Sequence, residues 1–132
     1  VRRYFAQVLE QAAETGWVET LLGRRRRIPE LSAENRSVRS FGERAAMNTP
    51  VQGTAADLMK LAMVRASRGF LEAGLRARLV LQVHDELIVE APVEEVPEAS
   101  RLLRQAMEQV ESLLVPLRVD IASGSSWHDA KA

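Results

Sequence analysis

His84, Asp85 and Glu86 stand in a row between two short apolar runs, Leu79-Val80-Leu81-Gln82-Val83 and Leu87-Ile88-Val89. An imidazole beside two carboxylates, in a chain without cysteine, points to hard-cation chemistry. Mg²⁺ accepts one or two carboxylates and completes its shell with water and substrate phosphate. A two-metal phosphoryl-transfer site needs at least one more carboxylate to bridge its ions. Asp57, Asp120 and Asp129 fall in a predicted helix, a predicted strand and a tail, and none of them is a convincing companion. A metallophosphohydrolase built on His and Asp needs several His ligands, and the chain has only His84 and His128. On chemistry alone, the triplet is also readable as a polar loop tip.

The flanking runs are rich in Val, Leu and Ile and have strand length, so residues 78–90 are predicted to form a hairpin. A tight hairpin turn normally takes Asn-Gly, Asp-Gly or another glycine pair, because its central residues need positive φ. This tip has no glycine, and a broken local rule at a turn points to a site. Asp85 and Glu86 would face opposite ways on a strand, whereas on a turn both reach the same solvent region.

A second set is spaced by four: Arg44, Asn48 and Gln52 project from one face if the helical axis runs on. The same stretch carries a competing signal. Thr49, Pro50 and Gln52 fit an N-cap, an N1 proline and a capping-box glutamine, which predicts a fresh helix or a kink. Gln52 and Asn48 would then be capping and turn residues. The helical pattern covers residues 36–73 and stops at Gly74. Val51, Ala55, Leu58, Ala62 and Ala66 form the expected apolar stripe. Gly53, Thr54, Ala55 and Ala56 keep the first turns slim enough for another backbone to approach.

The third set is Arg24-Arg25-Arg26-Arg27, within a predicted hairpin over 17–29. It reads either as a solvated loop or as a phosphate-contacting prong. A helix over 1–16 precedes it, with Gly16 as the C-terminal cap. Downstream, a helix is expected over 93–114 and a third strand over 117–122. The order predicts an α+β fold: a small antiparallel sheet, made of the 78–90 hairpin and the C-terminal strand, covered by helices.

Length and composition bound the rest. A chain of 132 residues is one domain with a modest core. Net charge is zero, so bulk charge does not announce a nucleic-acid partner, although arginine outnumbers lysine 16 to 2. Arginine suits planar contacts to phosphate, and genome composition or thermal adaptation gives the same bias. No apolar run approaches the roughly 20 residues of a membrane span. Val1 opens inside a helical pattern without methionine, the expectation for a piece of a longer polypeptide.

These residues together resemble the family A DNA polymerases of the bacterial DNA polymerase I type. Gln82-Val83-His84-Asp85-Glu86 resembles that family's third polymerase motif, and Asn48 through Lys60 resembles the helix before it. Thr20-Leu21-Leu22-Gly23-Arg24-Arg25-Arg26 is similar to its hairpin, and Gly124 through Lys131 to its C-terminal end. The resemblance implies the C-terminal part of the palm in a polymerase right-hand fold, bound to primer-template DNA and using deoxynucleoside triphosphates. It implies Asp85 as a metal-binding carboxylate in a two-Mg²⁺ site, with Glu86 as a supporting catalytic residue and His84 against the primer terminus. It places Arg44, Asn48 and Gln52 along the minor groove, and Arg24, Arg25 and Arg26 near the duplex backbone. The other metal-binding aspartate and the fingers helix would lie upstream of Val1, so the isolated chain is expected to be inactive without the rest of the polymerase chain. A cytoplasmic bacterial enzyme is implied. The competing expectation is a non-catalytic nucleic-acid-binding module on the same scaffold.

Overall fold

The computed structural model describes residues 1–131. They divide into two compact units, residues 1–57 and 58 onward, and each is best understood by itself. The α+β class read from the sequence holds, with helices and two small antiparallel sheets.

In the first unit, helix α1 spans Arg2–Thr15. Gly16 stops it in the left-handed conformation at φ 77°, its N–H returning to the Ala12 carbonyl at 2.9 Å. Glycine reaches that conformation without a Cβ penalty. Strands β1 (Trp17–Glu19) and β2 (Arg25–Arg27) follow, paired Trp17 to Arg27, Val18 to Arg26 and Glu19 to Arg25. Because side chains alternate along a strand, Val18 and Arg26 share one face, and Trp17, Glu19, Arg25 and Arg27 share the other. A 3₁₀ turn at Pro29–Ser32 leads to helix α2, Arg36–Glu72. The Asn35 side chain caps its start, accepting the Ser37 N–H at 2.9 Å. Ala12, Val18, Ile28 and Ala46 form the buried core of this unit, with Val8, Leu9, Leu31 and Ala45 against it.

The fresh helix start expected at Thr49-Pro50 does not occur: Pro50 lies inside α2. Thr49 is not an N-cap. Its hydroxyl donates back to the Ala45 carbonyl at 2.7 Å, as mid-helix threonines do. Gln52 and Asn48 are therefore helical residues without capping duties. The expected apolar stripe is real only in its second half. Ala62 and Ala66 are buried, whereas Val51 and Ala55 are exposed.

In the second unit, α2 ends at Glu72 and Gly74 turns the chain at φ 67°. The Gly74 and Leu75 N–H groups close back on the Leu71 and Phe70 carbonyls. Strands β3 (Arg78–Val83) and β4 (Glu86–Glu90) form the second sheet. Leu79 pairs with Val89 and Leu81 with Ile88, which leaves Val80 as the extra residue of a bulge. Helix α3 spans Val96–Glu108 and packs Ala99, Leu103 and Ala106 on Ala66, Phe70 and Ala77. Phe70 is almost completely buried, a contribution of about 1.5–3 kcal/mol. Leu79, Leu87 and Val89 bring the hairpin onto that core. The Glu95 carboxylate pins the start of β3 by accepting the Arg76 and Ala77 N–H groups at 2.8 and 3.0 Å.

Two further expectations need correction. The helix expected over 93–114 is a 3₁₀ turn at Val93–Glu95 followed by α3, which stops at Glu108, where the Gln109 carbonyl accepts a bond from Arg65 at 2.6 Å. The strand expected over 117–122 does not pair with the hairpin. Side chains of α3 bond its backbone at Val119 instead. Arg104 donates to the Val119 carbonyl at 2.6 Å, and the Val119 N–H donates to Glu108 at 2.9 Å. Ile121 still packs on the core. The segment after Gly124 forms a short helix α4, Trp127–Lys131. Among the described residues, no helix is long and apolar enough to cross a membrane.

Candidate functional site

The hairpin tip is a two-residue turn of His84 and Asp85, with Val83 and Glu86 as the last pair of the ladder. His84 has φ 52° and is the only non-glycine with positive φ among the described residues. A residue with a Cβ pays about 1–2 kcal/mol for that conformation. The Gln82 side-chain amide fastens the turn by donating to the His84 carbonyl at 2.5 Å. Asp85 is exposed, and its carboxylate bonds to none of the described residues.

Glu86 is placed differently from the sequence expectation. It belongs to β4, not to the turn, and its carboxylate lies 2.9 Å from the Lys131 ammonium. Lys131 also sits 4.8 Å from the centre of the Trp127 ring. Of the two adjacent acids, one is committed to a cation and one is open. Ser126 caps α4 by accepting the Asp129 N–H at 3.2 Å, and both Ser125 and Ser126 donate to the Asp129 carboxylate. Those two hydroxyls hold the Asp129 carboxyl below its ordinary pKa.

The donor set bears directly on a metal. Among the described residues, no three His, Asp or Glu side chains gather in one place. A cation shell made largely of water and substrate oxygens needs only one or two protein carboxylates. Asp85 fits as one ligand of such a shared site, with Glu86 beside it paired with Lys131.

In the first unit, Arg26, Arg44, Asn48 and Gln52 line one cleft of about 270 Å³, together with Phe41, Ala45 and Thr49. The four-residue spacing on an unbroken helix puts Arg44, Asn48 and Gln52 on one face. The Asn48 and Gln52 amides are exposed and hydrogen-bond to none of the described residues, so their donors are available. Arg44 bonds to Ser40 at 3.1 Å, and Arg26 to the Thr49 hydroxyl at 3.2 Å.

The three arginines singled out in the hairpin are not equivalent. Arg24 donates its Nε to Asp57 at 2.6 Å. Arg25 bonds Glu19 at 2.8 Å and stacks 4.0 Å above the Trp17 ring. Only Arg26 enters the cleft. Two structural participants escaped the sequence reading. Asp57 reads from the sequence as a helical acid only, although the slim face at Gly53 and Thr54 marks where another backbone can approach. Lys131 left no signal beyond its place in the C-terminal match.

The sequence profile described as DNA polymerase family A matches residues 1–129, and the chain belongs to that family. It is 52% identical to DNA polymerase I of Bacillus caldotenax and to that of Bacillus subtilis, each over 131 residues, which cover 99% of this chain and 15% of the relative. It is likewise 52% identical to the Chloroflexus aurantiacus enzyme over 130 residues, 98% of this chain and 14% of that one. A solved structure described as the POL domain of Pol1 from M. smegmatis, in complex with DNA primer-template and dNTP, is 46% identical and superposes with a TM-score of 0.96 over 99% of this chain and 23% of that one. The chain thus spans about 15% of the length of the curated relatives it matches.

Proposed function

We propose that this chain is the C-terminal palm portion of a DNA-directed DNA polymerase, acting in the intact enzyme in template-directed nucleotidyl transfer to a primer 3′ end. The reading is carried by its likeness to a polymerase domain solved with primer-template and dNTP. Its partners are then primer-template DNA, deoxynucleoside triphosphates and the remainder of the polymerase chain, in the bacterial cytoplasm.

Asp85 is the residue that would hold Mg²⁺, as one carboxylate of a two-metal site whose other aspartate lies outside these 132 residues. Bound Mg²⁺ there would supply charge neutralisation on the reacting phosphates. The exposed position of Asp85 and its freedom from other bonds support this role. His84, held by Gln82, would face the primer-terminal sugar-phosphate. Glu86, fixed by Lys131, would support the tip without competing as a ligand.

Arg44, Asn48 and Gln52 would lie along the minor groove. Purine N3 and pyrimidine O2 occupy similar places there in every Watson–Crick pair, so amide donors test pair geometry without reading sequence. Of Arg24, Arg25 and Arg26, the last is best placed for the duplex. The other two are already engaged with carboxylates. Phosphoryl transfer depends on positioning and charge stabilisation, so these 132 residues alone would not extend a primer.

The test is Asp85→Ala in the full-length polymerase. Nucleotide addition should fall by about 10²–10³-fold, the scale for losing a main charge-stabilising group, while the Kd for primer-template stays within about threefold of wild type. Near-normal extension by the variant rejects the metal-binding role. A wild-type protein that binds DNA but never extends it favours a non-catalytic binding module.

A further inference from the structure

The turn between β1 and β2 is bolted to α2 by buried polar contacts. Thr20 and Asp57 are each only 5% exposed. The Thr20 hydroxyl donates to Asp57 Oδ2 at 2.8 Å and accepts the Arg24 N–H at 3.1 Å. Arg24 Nε donates to Asp57 Oδ1 at 2.6 Å. One helix turn earlier, the Thr54 hydroxyl accepts the Leu21 N–H at 2.9 Å. The acid thus joins both ends of a five-residue turn to one helix.

Alternation carries this anchor to the arginines. Thr20 continues β1 and faces Arg24 across the turn, its N–H bonding the Arg24 carbonyl at 2.9 Å. Val18 and Arg26 are the next opposed pair on that same face. Fixing Arg24 against α2 therefore turns Arg26, two residues on, toward α2 as well. There Arg26 meets Thr49 and the cleft lined by Arg44, Asn48 and Gln52. Arg25, between them, is sent to the opposite face and Trp17.

We infer that Asp57 is a positioning residue for nucleic-acid contact: by holding Thr20 and Arg24 it sets Arg26 beside the minor-groove side chains. The inference rests on the polymerase reading above. It makes a prediction whose sign opposes simple electrostatics. Removing a carboxylate raises the net positive charge and releases Arg24, and both changes would tighten binding to a polyanion. Loss of a positioning residue weakens binding instead.

The experiment compares Asp57→Ala, Arg26→Ala and the double variant in the full-length polymerase, measuring the Kd for primer-template against salt and kcat at saturating DNA. Asp57→Ala and Arg26→Ala should each raise Kd by about tenfold, the scale of one charge-assisted hydrogen bond. Each should flatten the salt slope by about one unit. Extension of a matched primer by Asp57→Ala at saturating DNA should stay within about threefold of wild type, and the Kd of the double variant should be no worse than about twofold beyond that of the poorer single one. Unchanged or tighter binding by Asp57→Ala overturns the inference, and so do multiplied effects in the double variant. If Asp57→Ala does not fold, Thr20→Val, which removes both bonds of the Thr20 hydroxyl without changing charge, carries the same expectation of weaker binding. A wild-type enzyme that extends primers beside an indifferent Asp57→Ala sinks the anchor alone. A wild type that neither binds nor extends sinks the polymerase reading and the anchor together.

Discussion

A Cβ added at Gly53 would lie 2.7 Å from Cγ2 of Thr20, closer than two carbons can stand without something moving. Neither side gives easily. Gly53 is inside α2, and the Thr20 hydroxyl is tied to Asp57 and to the Arg24 N–H. Alanine normally gains about 1 kcal/mol over glycine in a helix, whereas overpacking costs about 1–3 kcal/mol. Gly53→Ala should therefore lower stability by about 1 kcal/mol in denaturant unfolding. Adding Thr20→Ser, which keeps the hydroxyl and deletes Cγ2, should restore the wild-type midpoint or exceed it. A Gly53→Ala variant more stable than wild type would mean that the turn is not pressed against the helix.

Gln52 has an exposed amide with no partner among the described residues. Gln52→Ala should cost little stability, under about 0.5 kcal/mol for a surface site. In the intact polymerase it should reduce discrimination at a mismatched primer end by about tenfold, the scale of one hydrogen bond. The measurement is the ratio of matched to mismatched extension rates. An unchanged ratio would remove Gln52 from the minor groove.

At His84, stability and function should separate. Its φ of 52° suits glycine better than histidine. His84→Gly should leave thermal stability unchanged or raise it by up to about 1 kcal/mol. Primer extension should nevertheless fall, because the imidazole is gone. A variant that loses stability and activity in parallel would argue that the ring packs rather than contacts the primer.

The Asp129 carboxyl has a lowered pKa because Ser125 and Ser126 donate to it, Ser125 foremost. The sign follows from linkage. A group whose pKa is depressed by folding stabilises above its unfolded pKa of about 3.9 and loses that contribution as pH falls through the lower folded value. The Asp129 side-chain carboxyl resonance should titrate below the ordinary aspartate range in an NMR pH series. Ser125→Ala with Ser126→Ala should move the midpoint back up. A normal midpoint in the wild type would show that the cap is not formed in solution.

Much of this was legible in the sequence, for physical reasons. Gly16 and Gly74 mark real chain reversals because their positions call for positive φ. The 78–90 hairpin shows itself as two Val- and Leu-rich runs around a polar tip. Thr49-Pro50 carries a strong start signal, yet the helix runs through it, with the Thr49 hydroxyl turned back within the helix to Ala45 rather than capping a new one; the other misses turn on partners farther along the chain. Residues 117–122 have strand composition, but at Val119 it is Arg104 and Glu108 that take the backbone bonds a neighbouring strand would have made. Asp57 is 33 and 37 residues from the groups it binds, beyond any local pattern. At the site, the two acids looked alike as neighbours, and only the ladder and Lys131 tell them apart.

The bulge at Val80 means that β3 is written in two phases. Before it, Leu79 shares the core side with Val89. After it, the count shifts by one, and Gln82 shares the side of Leu87 while Leu81 and Val83 take the other. The alternation that runs through Leu79 at the base of the strand is therefore out of step with the one that runs through Gln82 and Val83 at its tip. The orientation of the tip thus depends on how many residues precede it as much as on which ones they are. Every side chain in this stretch could be exchanged for a similar one more safely than a single position could be gained or lost.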